Sequence, residues 1–323
     1  VNLSSVMWMK QTCLVERKVR KLLIAKSVRL AATVLVASLA LAACGTPVTE
    51  SKLVRRGLSD LDESEIDLSK AKAENQNRLI DPKFDGKLVI VNDPIGIEAS
   101  RLFFEDSDSL VLFAGDDKST LRAATLAVNQ HLPAVQYDDA RRLEIHKLLT
   151  DLGVSRLVVI GDVPWTETSG NFNVIKDPGT HKALGEFTAF QYGSKVVASP
   201  EQMVKDIARL DKTPQVELRP AWVPYEGEAR TDEKKNKPIP AQSRRDGQMA
   251  PNIVATKDSP IANVITAAAY GGRVLIMPTA DPLADKHSMA AVAGLEDGAL
   301  VALGPEFGRV KEFKAKIKQG APS

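Results

Sequence analysis

Unbroken runs of four or five apolar residues recur along the chain, and each is followed by a longer stretch with apolar residues at helical spacing. Leu88–Val91, Leu110–Ala114, Leu157–Ile160 and Leu300–Leu303 are such runs. A strand buried on both faces needs this pattern, because a parallel sheet is covered by helices on each side. The stretches after them read as helices: Pro94 to Glu105, Lys118 to Asn129, and Ala140 to Leu152 with Leu143, Ile145, Leu148 and Leu149. Pro94 suits a first helical turn, where no donor is lost, and Gly153 suits a C-terminal cap. Strand and helix alternating at this spacing predict crossover units and a doubly wound, mostly parallel, Rossmann-like α/β fold.

The alternation continues less regularly. Strands are expected at 133–137, 173–175, 195–198 and 216–223, and helices at 182–191 and 200–210. Residues 224–251 interrupt it with many charges and prolines, as a surface loop or a linker does. Strands at 253–255, 274–277 and 300–303 then alternate with helices at 260–270, 287–294 and 309–318. The expected organisation is one lobe over 87–223 and a second over 252–323. Val91-Asn-Asp-Pro-Ile95 can be laid over Thr256 to Ile261, Leu110–Phe113 over Val274–Met277, and Val159-Ile-Gly161 over Ala302-Leu-Gly304. Such an overlay implies two pseudo-repeated lobes.

The amino-terminal residues set the compartment. Arg17, Lys18, Arg20, Lys21, Lys26 and Arg29 precede an uncharged run, Leu30 to Ala43, which ends in Leu41-Ala-Ala-Cys44. A basic region, a short apolar region and small residues at a cleavage point describe a secretory signal. About 14 apolar residues fall short of the roughly 20 that span a bilayer. With the cysteine directly after the small pair, this leader resembles that of bacterial lipoproteins. The resemblance implies that residues 1–43 are removed, that Cys44 is lipidated, and that residues 44–86 are a flexible tether on the outer face of the cell membrane. The chain carries 43 Lys and Arg against 41 Asp and Glu, and the leader holds seven of the basic and one of the acidic residues. The remainder has 36 basic and 40 acidic residues, a net charge of −4. A mildly acidic domain without a basic stripe excludes the usual nucleic-acid binding surfaces. Cys13 leaves with the leader, so no intramolecular disulfide is expected.

Leu110-Val-Leu-Phe-Ala-Gly115, Leu121 to Val128, Leu132-Pro-Ala-Val135, Leu148 to Gly153 and Leu157-Val-Val-Ile-Gly161 follow one another as strand-Gly, alanine-rich helix, apolar segment with proline, helix ending Leu-Gly, and strand-Gly. In this order, 110–162 resembles the cell-wall-binding repeat 2 family of bacterial surface proteins, with a weaker second match over 274–304. Asp162 stands where the family has a second glycine, and Ser119, Thr120 and Leu121 stand where it often has Asp-Ala-Leu. The resemblance implies an α/β fold and a cell-wall or envelope polymer as partner.

Motifs of known chemistry are missing. His131, His146, His181 and His287 have no metal-ligand spacing, so no metal is expected. No glycine-rich phosphate loop and no Gly-x-Ser-x-Gly elbow occurs, so no nucleotide cofactor and no serine hydrolase of that type is expected. Carboxylates remain at expected strand ends: Asp93, Asp116, Asp117, Asp162, Asp258 and Asp281. Ligands of open parallel sheets bind there, and aspartate there also caps the following helix. Trp165 lies beside hydroxyl and amide side chains, either to stack on a sugar or to pack. Two functions follow: a non-enzymatic, lipid-anchored surface protein that binds envelope polymer or an envelope protein, or a lipid-anchored enzyme or solute-binding protein that uses the strand-end carboxylates.

Overall fold

The strands expected from apolar runs form, and all pair in parallel. The computed structural model describes residues 62–165, 172–210, 215–224, 236–242 and 249–322, all within one compact unit that begins at Arg56. The leader, Cys44 and the first part of the tether lie outside the described residues.

Ten strands among the described residues make three sheets. They are β1 (Leu88–Val91), β2 (Ser109–Phe113), β3 (Ala134–Gln136), β4 (Arg156–Ile160), β5 (Asn173–Lys176), β6 (Gly193–Val197), β7 (Val216–Pro220), β8 (Asn252–Ala255), β9 (Val274–Ile276) and β10 (Leu300–Leu303). One sheet has the order β3-β2-β4-β5, a second β9-β8-β10-β1, and the third is the pair β6-β7. Among the described residues nine α-helices accompany them: α1 (Leu68–Gln76), α2 (Ile97–Phe103), α3 (Asp117–Gln130), α4 (Arg142–Asp151), α5 (His181–Thr188), α6 (Met203–Ala208), α7 (Ile261–Ala269), α8 (Lys286–Val292) and α9 (Val310–Gly320). The fold is α/β with helix-flanked parallel sheets.

The same strand–helix–strand unit occurs three times, as β2-α3-β3, β6-α6-β7 and β8-α7-β9. The three crossover helices pack on one another at the centre. Nearly every residue of α3 and α7 is therefore buried. Their alanines, Ala123, Ala124 and Ala127 against Ala262, Ala267 and Ala268, suit close helix contact. Helices covered on all sides have no polar face to keep in water. The two-stranded sheet depends on the same centre: Leu218 N donates to Thr125 Oγ1 of α3 at 3.1 Å. A two-stranded ribbon alone would be marginal.

The two larger sheets have the same order, which fixes the internal repeat. β2 is equivalent to β8, β3 to β9, and β4 to β10. The overlay of Val159-Ile-Gly161 on Ala302-Leu-Gly304 therefore holds, whereas Leu110–Phe113 corresponds to β8 rather than to Val274–Met277. The place of β5 in the second sheet is taken by β1, which pairs with β10 in the register Leu88↔Leu300 to Val91↔Leu303. β1, grouped by sequence with 87–223, thus completes the sheet of the carboxy-terminal stretch. Asp93-Pro94 after β1 and Asp177-Pro178 after β5 are the corresponding turns.

Residues 62–86, read from sequence as the end of the tether, dock on this body. Asp67 caps α1 by accepting from Ser69 N at 2.9 Å and Lys70 N at 3.1 Å. Only Ala71 of α1 is buried, and the attachment is polar: Asn75 Nδ2 donates to Ala290 O and Ala293 O of the α8 region. A helix held by side-chain amides shows no apolar stripe in its sequence. Phe84 then packs into an aromatic group with Phe103 and Tyr270. Part of the polar excursion docks as well. Ile239 is buried and its N–H donates to Phe187 O at 2.7 Å. Leu143, read from sequence among the apolar residues of this helix, is 86 % exposed. No helix among the described residues is long and apolar enough to cross a membrane.

Candidate functional site

The strand-end carboxylates do not gather. Asp93 is buried, accepts from the backbone N–H groups of Ile97 and Glu98 at the start of α2, and pairs with Arg141. Asp116 caps α3 by accepting from Ser119 N at 2.9 Å. Asp117 accepts from Trp222 Nε1 at 2.8 Å. Asp258 forms an exposed pair with Lys257, and Asp281 pairs with Lys316 while accepting from Leu283 N. Asp162 is exposed. Aspartate after a strand thus serves here mainly as helix cap or ion-pair partner. Trp165 is 1 % exposed, with Tyr137 against it edge-on and the Arg142 guanidinium 5.2 Å over its ring. Among the described residues, one group of three metal-ligating side chains, Glu63, Asp285 and His287, has its ligand atoms within 4.8 Å of one another. Asp285 there also caps α8 through Ser288 N at 2.8 Å.

A cavity of about 360 Å³ opens at the carboxyl ends of β4, β5 and β7. None of Asp93, Asp116, Asp117, Asp258, Asp281 or Trp165 lines it, although Asp117 ties Trp222 to its rim. Gly161 ends β4 with φ +78°. A Cβ there would collide with Ser119 Oγ and sit 3.0 Å from Ala114 Cβ, so only glycine lets β4 end against the first turn of α3. This is the physical content of the strand-Gly pattern in the sequence. Lys118, Ser119 and Arg122 enter the cavity wall from α3, Asp177 and His181 from the turn after β5, and Glu217 and Arg219 from β7. Ile160, Leu218, Pro178, Pro220 and Val223 supply its apolar parts.

The floor is a buried ion network. Arg122 forks onto Asp177, with Nε to Oδ2 at 2.8 Å and Nη2 to Oδ1 at 2.9 Å. Its Nη1 reaches Glu217 Oε1 at 2.7 Å, and Nη2 also reaches Thr180 O at 2.8 Å. Glu217 Oε2 accepts from Arg219 Nη2 at 2.6 Å and lies 2.7 Å from His181 Nδ1. A contact this short to a carboxylate requires a proton on Nδ1, which also lies 3.3 Å from Arg219 Nη2. Burial alone pushes the Glu217 carboxyl up. The hydrogen bonds from His181 and Arg219 and the charges of Arg122 and Arg219 outweigh it and hold the pKa below the ordinary glutamate value. For Arg122, burial works toward a lower pKa, and Asp177 and Glu217 outweigh it and raise the value. Among the described residues, the charged side chains of the lining are Lys118, Arg122 and Arg219 with Asp177 and Glu217.

Sequence reading did not find these residues. From sequence, Lys118 to Asn129 reads as a helix, His181 has no metal-ligand spacing, and 216–223 reads as a strand, none of them marked as part of a site. The signals were Gly161 after a strand and the sequence Asp177-Pro-Gly-Thr-His181 after another.

Fold and cavity together define an α/β protein of parallel sheets with a ligand-sized cleft at the strand carboxyl edge, where open sheets of this class bind. No family model matches the sequence, and no curated protein does. Among solved structures the chain is similar to Cwp6 and Cwp8 from Clostridium difficile, each at 12% identity. The TM-scores are 0.44 over 74% of this chain and 0.45 over 72%. The chain spans about half the length of each, 49% of Cwp6 and 51% of Cwp8.

Proposed function

We propose that this chain is a lipid-anchored protein of the bacterial cell surface that binds an envelope polymer without turning it over, and that the cavity between β4, β5 and β7 receives part of that polymer. The observation that carries the reading is the cavity itself, a cleft at the strand carboxyl edge whose described lining sets Lys118, Arg122 and Arg219 with Asp177 and Glu217 beside apolar walls. A net charge of −4 disfavours long-range attraction to an anionic polymer, so a local cationic pocket is the route by which such a chain could bind one. The resemblance of 110–162 to a wall-binding repeat supports a wall polymer as partner, and Leu41-Ala-Ala-Cys44 supports the anchor. Binding rather than chemistry is supported by Asp177 and Glu217, whose carboxylates are held in ion pairs instead of standing open to a substrate.

The test is cosedimentation of the purified full chain with purified cell walls, with and without Arg219→Gln and across a salt series. Binding that weakens steadily with salt, ignores a chelator and drops in the variant supports this reading. Binding that a chelator abolishes and Asp116→Asn or Asp281→Asn weakens would favour a cation bridge through the strand-end carboxylates. The absence of any binding would overturn the polymer as partner and turn the search to an envelope protein.

A further inference from the structure

A second cavity, of about 390 Å³, lies at the amino ends of β8 and β10 and shares no lining residue with the cavity already described. Asn75, Gln76, Arg78 and Asp85 line it from the docked amino-terminal segment, and Asn252 and residues 294–299 line it from the second sheet. Gln76 Nε2 joins the two sides by donating to Gly294 O at 2.9 Å. Gly294 has φ +77°, and a Cβ there would sit 2.7 Å from Lys72 Cγ and 2.8 Å from Gln76 Nε2, so glycine lets the end of α1 come this close. The volume is near the lower end of small-molecule sites, which run from roughly 300 to 1,000 Å³.

Arg78 and Glu296 bring opposite charges into this lining without pairing with each other. The Arg78 guanidinium donates to neutral oxygens: Asn252 Oδ1 at 2.8 Å and Pro251 O at 3.5 Å from Nη1, and Ala250 O at 3.1 Å from Nη2. No carboxylate pairs with it among the described residues, and the Nε–H and one Nη2–H have no protein acceptor there. Glu296 has no cation beside it among the described residues, and its Oε2 is shielded from solvent and accepts no hydrogen bond. A carboxylate oxygen withdrawn from water without a donor is costly, and rotation about Cγ–Cδ turns either oxygen toward a donor in the cleft. Asn75 has spent both N–H donors on Ala290 O and Ala293 O, so what it offers a ligand is the acceptor Oδ1. Of the other two carboxylates, Asp297 pairs with Lys314 at 2.5 Å and Asp85 is exposed to solvent. An anion alone would leave Glu296 without a donor, and an ammonium alone would leave the Arg78 donors unused. A ligand carrying both groups satisfies both. We propose that this cleft binds a small zwitterion of the amino-acid type, with its carboxylate on Arg78, its ammonium on Glu296 and Asn75 Oδ1, and its side chain against Ile80 and Leu295. The assignment does not rest on the polymer reading of the first cavity.

The experiment titrates the full chain with L-alanine, propionate, ethylamine and betaine, a zwitterion whose ammonium hydrogens are replaced by methyl groups, and follows binding by calorimetry and saturation-transfer NMR. Alanine should bind at least about tenfold more tightly than each of the others, the equivalent of one good charge-assisted hydrogen bond. Arg78→Gln and Glu296→Gln should each weaken alanine by about tenfold or more. Arg78 also holds residues 250–252. Glu296→Gln therefore covers the case in which Arg78→Gln disturbs the docked segment. Arg219→Gln, in the first cavity, should leave alanine binding unchanged, so failure of this assignment and failure of the polymer reading show in different variants. Propionate, ethylamine or betaine binding as tightly as alanine would overturn the ligand class. The absence of alanine binding, its indifference to Glu296→Gln, or its loss in Arg219→Gln would overturn the site.

Discussion

Arg122 and Glu217 are 95 positions apart in the chain and form an ion pair of 2.7 Å in which each side chain is more than nine-tenths buried. The pair joins the first sheet's crossover helix to the two-stranded sheet, and Asp177 closes it from the turn after β5. Removing the cation leaves two buried carboxylates facing each other. Arg122→Ala should therefore destabilise the protein by about 3–5 kcal/mol in urea denaturation, the usual cost of breaking a buried pair from one side. Arg122→Lys keeps the charge but loses the fork, and should fall between wild type and alanine. A loss below about 1 kcal/mol for the alanine variant would show that the network is not a structural joint.

The same network sets a pH dependence. Glu217 has a pKa held below its ordinary value in the fold. A carboxyl of this kind stabilises the native state above its unfolded pKa, about 4.3 for glutamate, and that contribution is lost as the pH falls through the depressed folded value. Stability should therefore drop on acidification below about pH 4. Glu217→Gln should show a smaller drop, so that the gap between the two proteins narrows toward acid. A gap that stays constant or widens in denaturation curves taken along this pH series would refute the assignment.

How much of this was legible in the sequence differs from residue to residue. Leu110 to Phe113 and Leu157 to Ile160 are central strands, and their unbroken apolar runs said so because both faces are covered. The partner of β1 was not legible. Apolar periodicity marks a strand but not its neighbour, and β10 lies more than two hundred residues further on. Leu143 stands two residues before Ile145, which puts it on the opposite side of α4 from the buried Ile145, Leu148 and Leu149. The candidate site was hidden for a related reason. Arg122 is 55 positions from Asp177 and 95 from Glu217, and no local spacing records either contact. What the sequence did show was the scaffold around the site, namely Gly161 and the Asp177-Pro-Gly turn.

Core and surface should separate clearly in a truncation series. Leu112 is fully buried in β2, between β3 and β4, whereas Leu143 is almost fully exposed. Leu112→Ala should cost about 2–5 kcal/mol through lost burial and a residual cavity. Leu143→Ala should stay within about 0.5 kcal/mol. Similar midpoints for the two variants in urea would contradict the placement of the sheet.

The leader makes a separate prediction. The proposed diacylglyceryl group on Cys44 would supply two acyl chains, and two are needed for stable attachment where one is marginal. Cys44→Ala should leave the precursor unprocessed or release the protein from membranes. Mass spectrometry of the mature amino terminus and a membrane fractionation read this directly. A variant that fractionates and migrates like wild type would remove the lipid anchor from the proposal.

Asp116 distinguishes a helix cap from a ligand. Its carboxylate accepts from Ser119 N at the start of α3, the helix that also carries Lys118, Ser119 and Arg122 into the cavity wall. Asparagine caps helices about as well as aspartate, and alanine does not cap them. Asp116→Asn should therefore change stability by only a few tenths of a kcal/mol, while Asp116→Ala should cost about 1 kcal/mol. The alanine variant should also weaken ligand binding modestly, because fraying of the first turn of α3 displaces Ser119. If Asp116 instead held a cation, asparagine and alanine would abolish binding alike, and a chelator would do the same to wild type. Stability and wall binding measured side by side on the two variants separate these cases: unequal variants support the cap, and equal loss of binding without loss of stability supports the ligand.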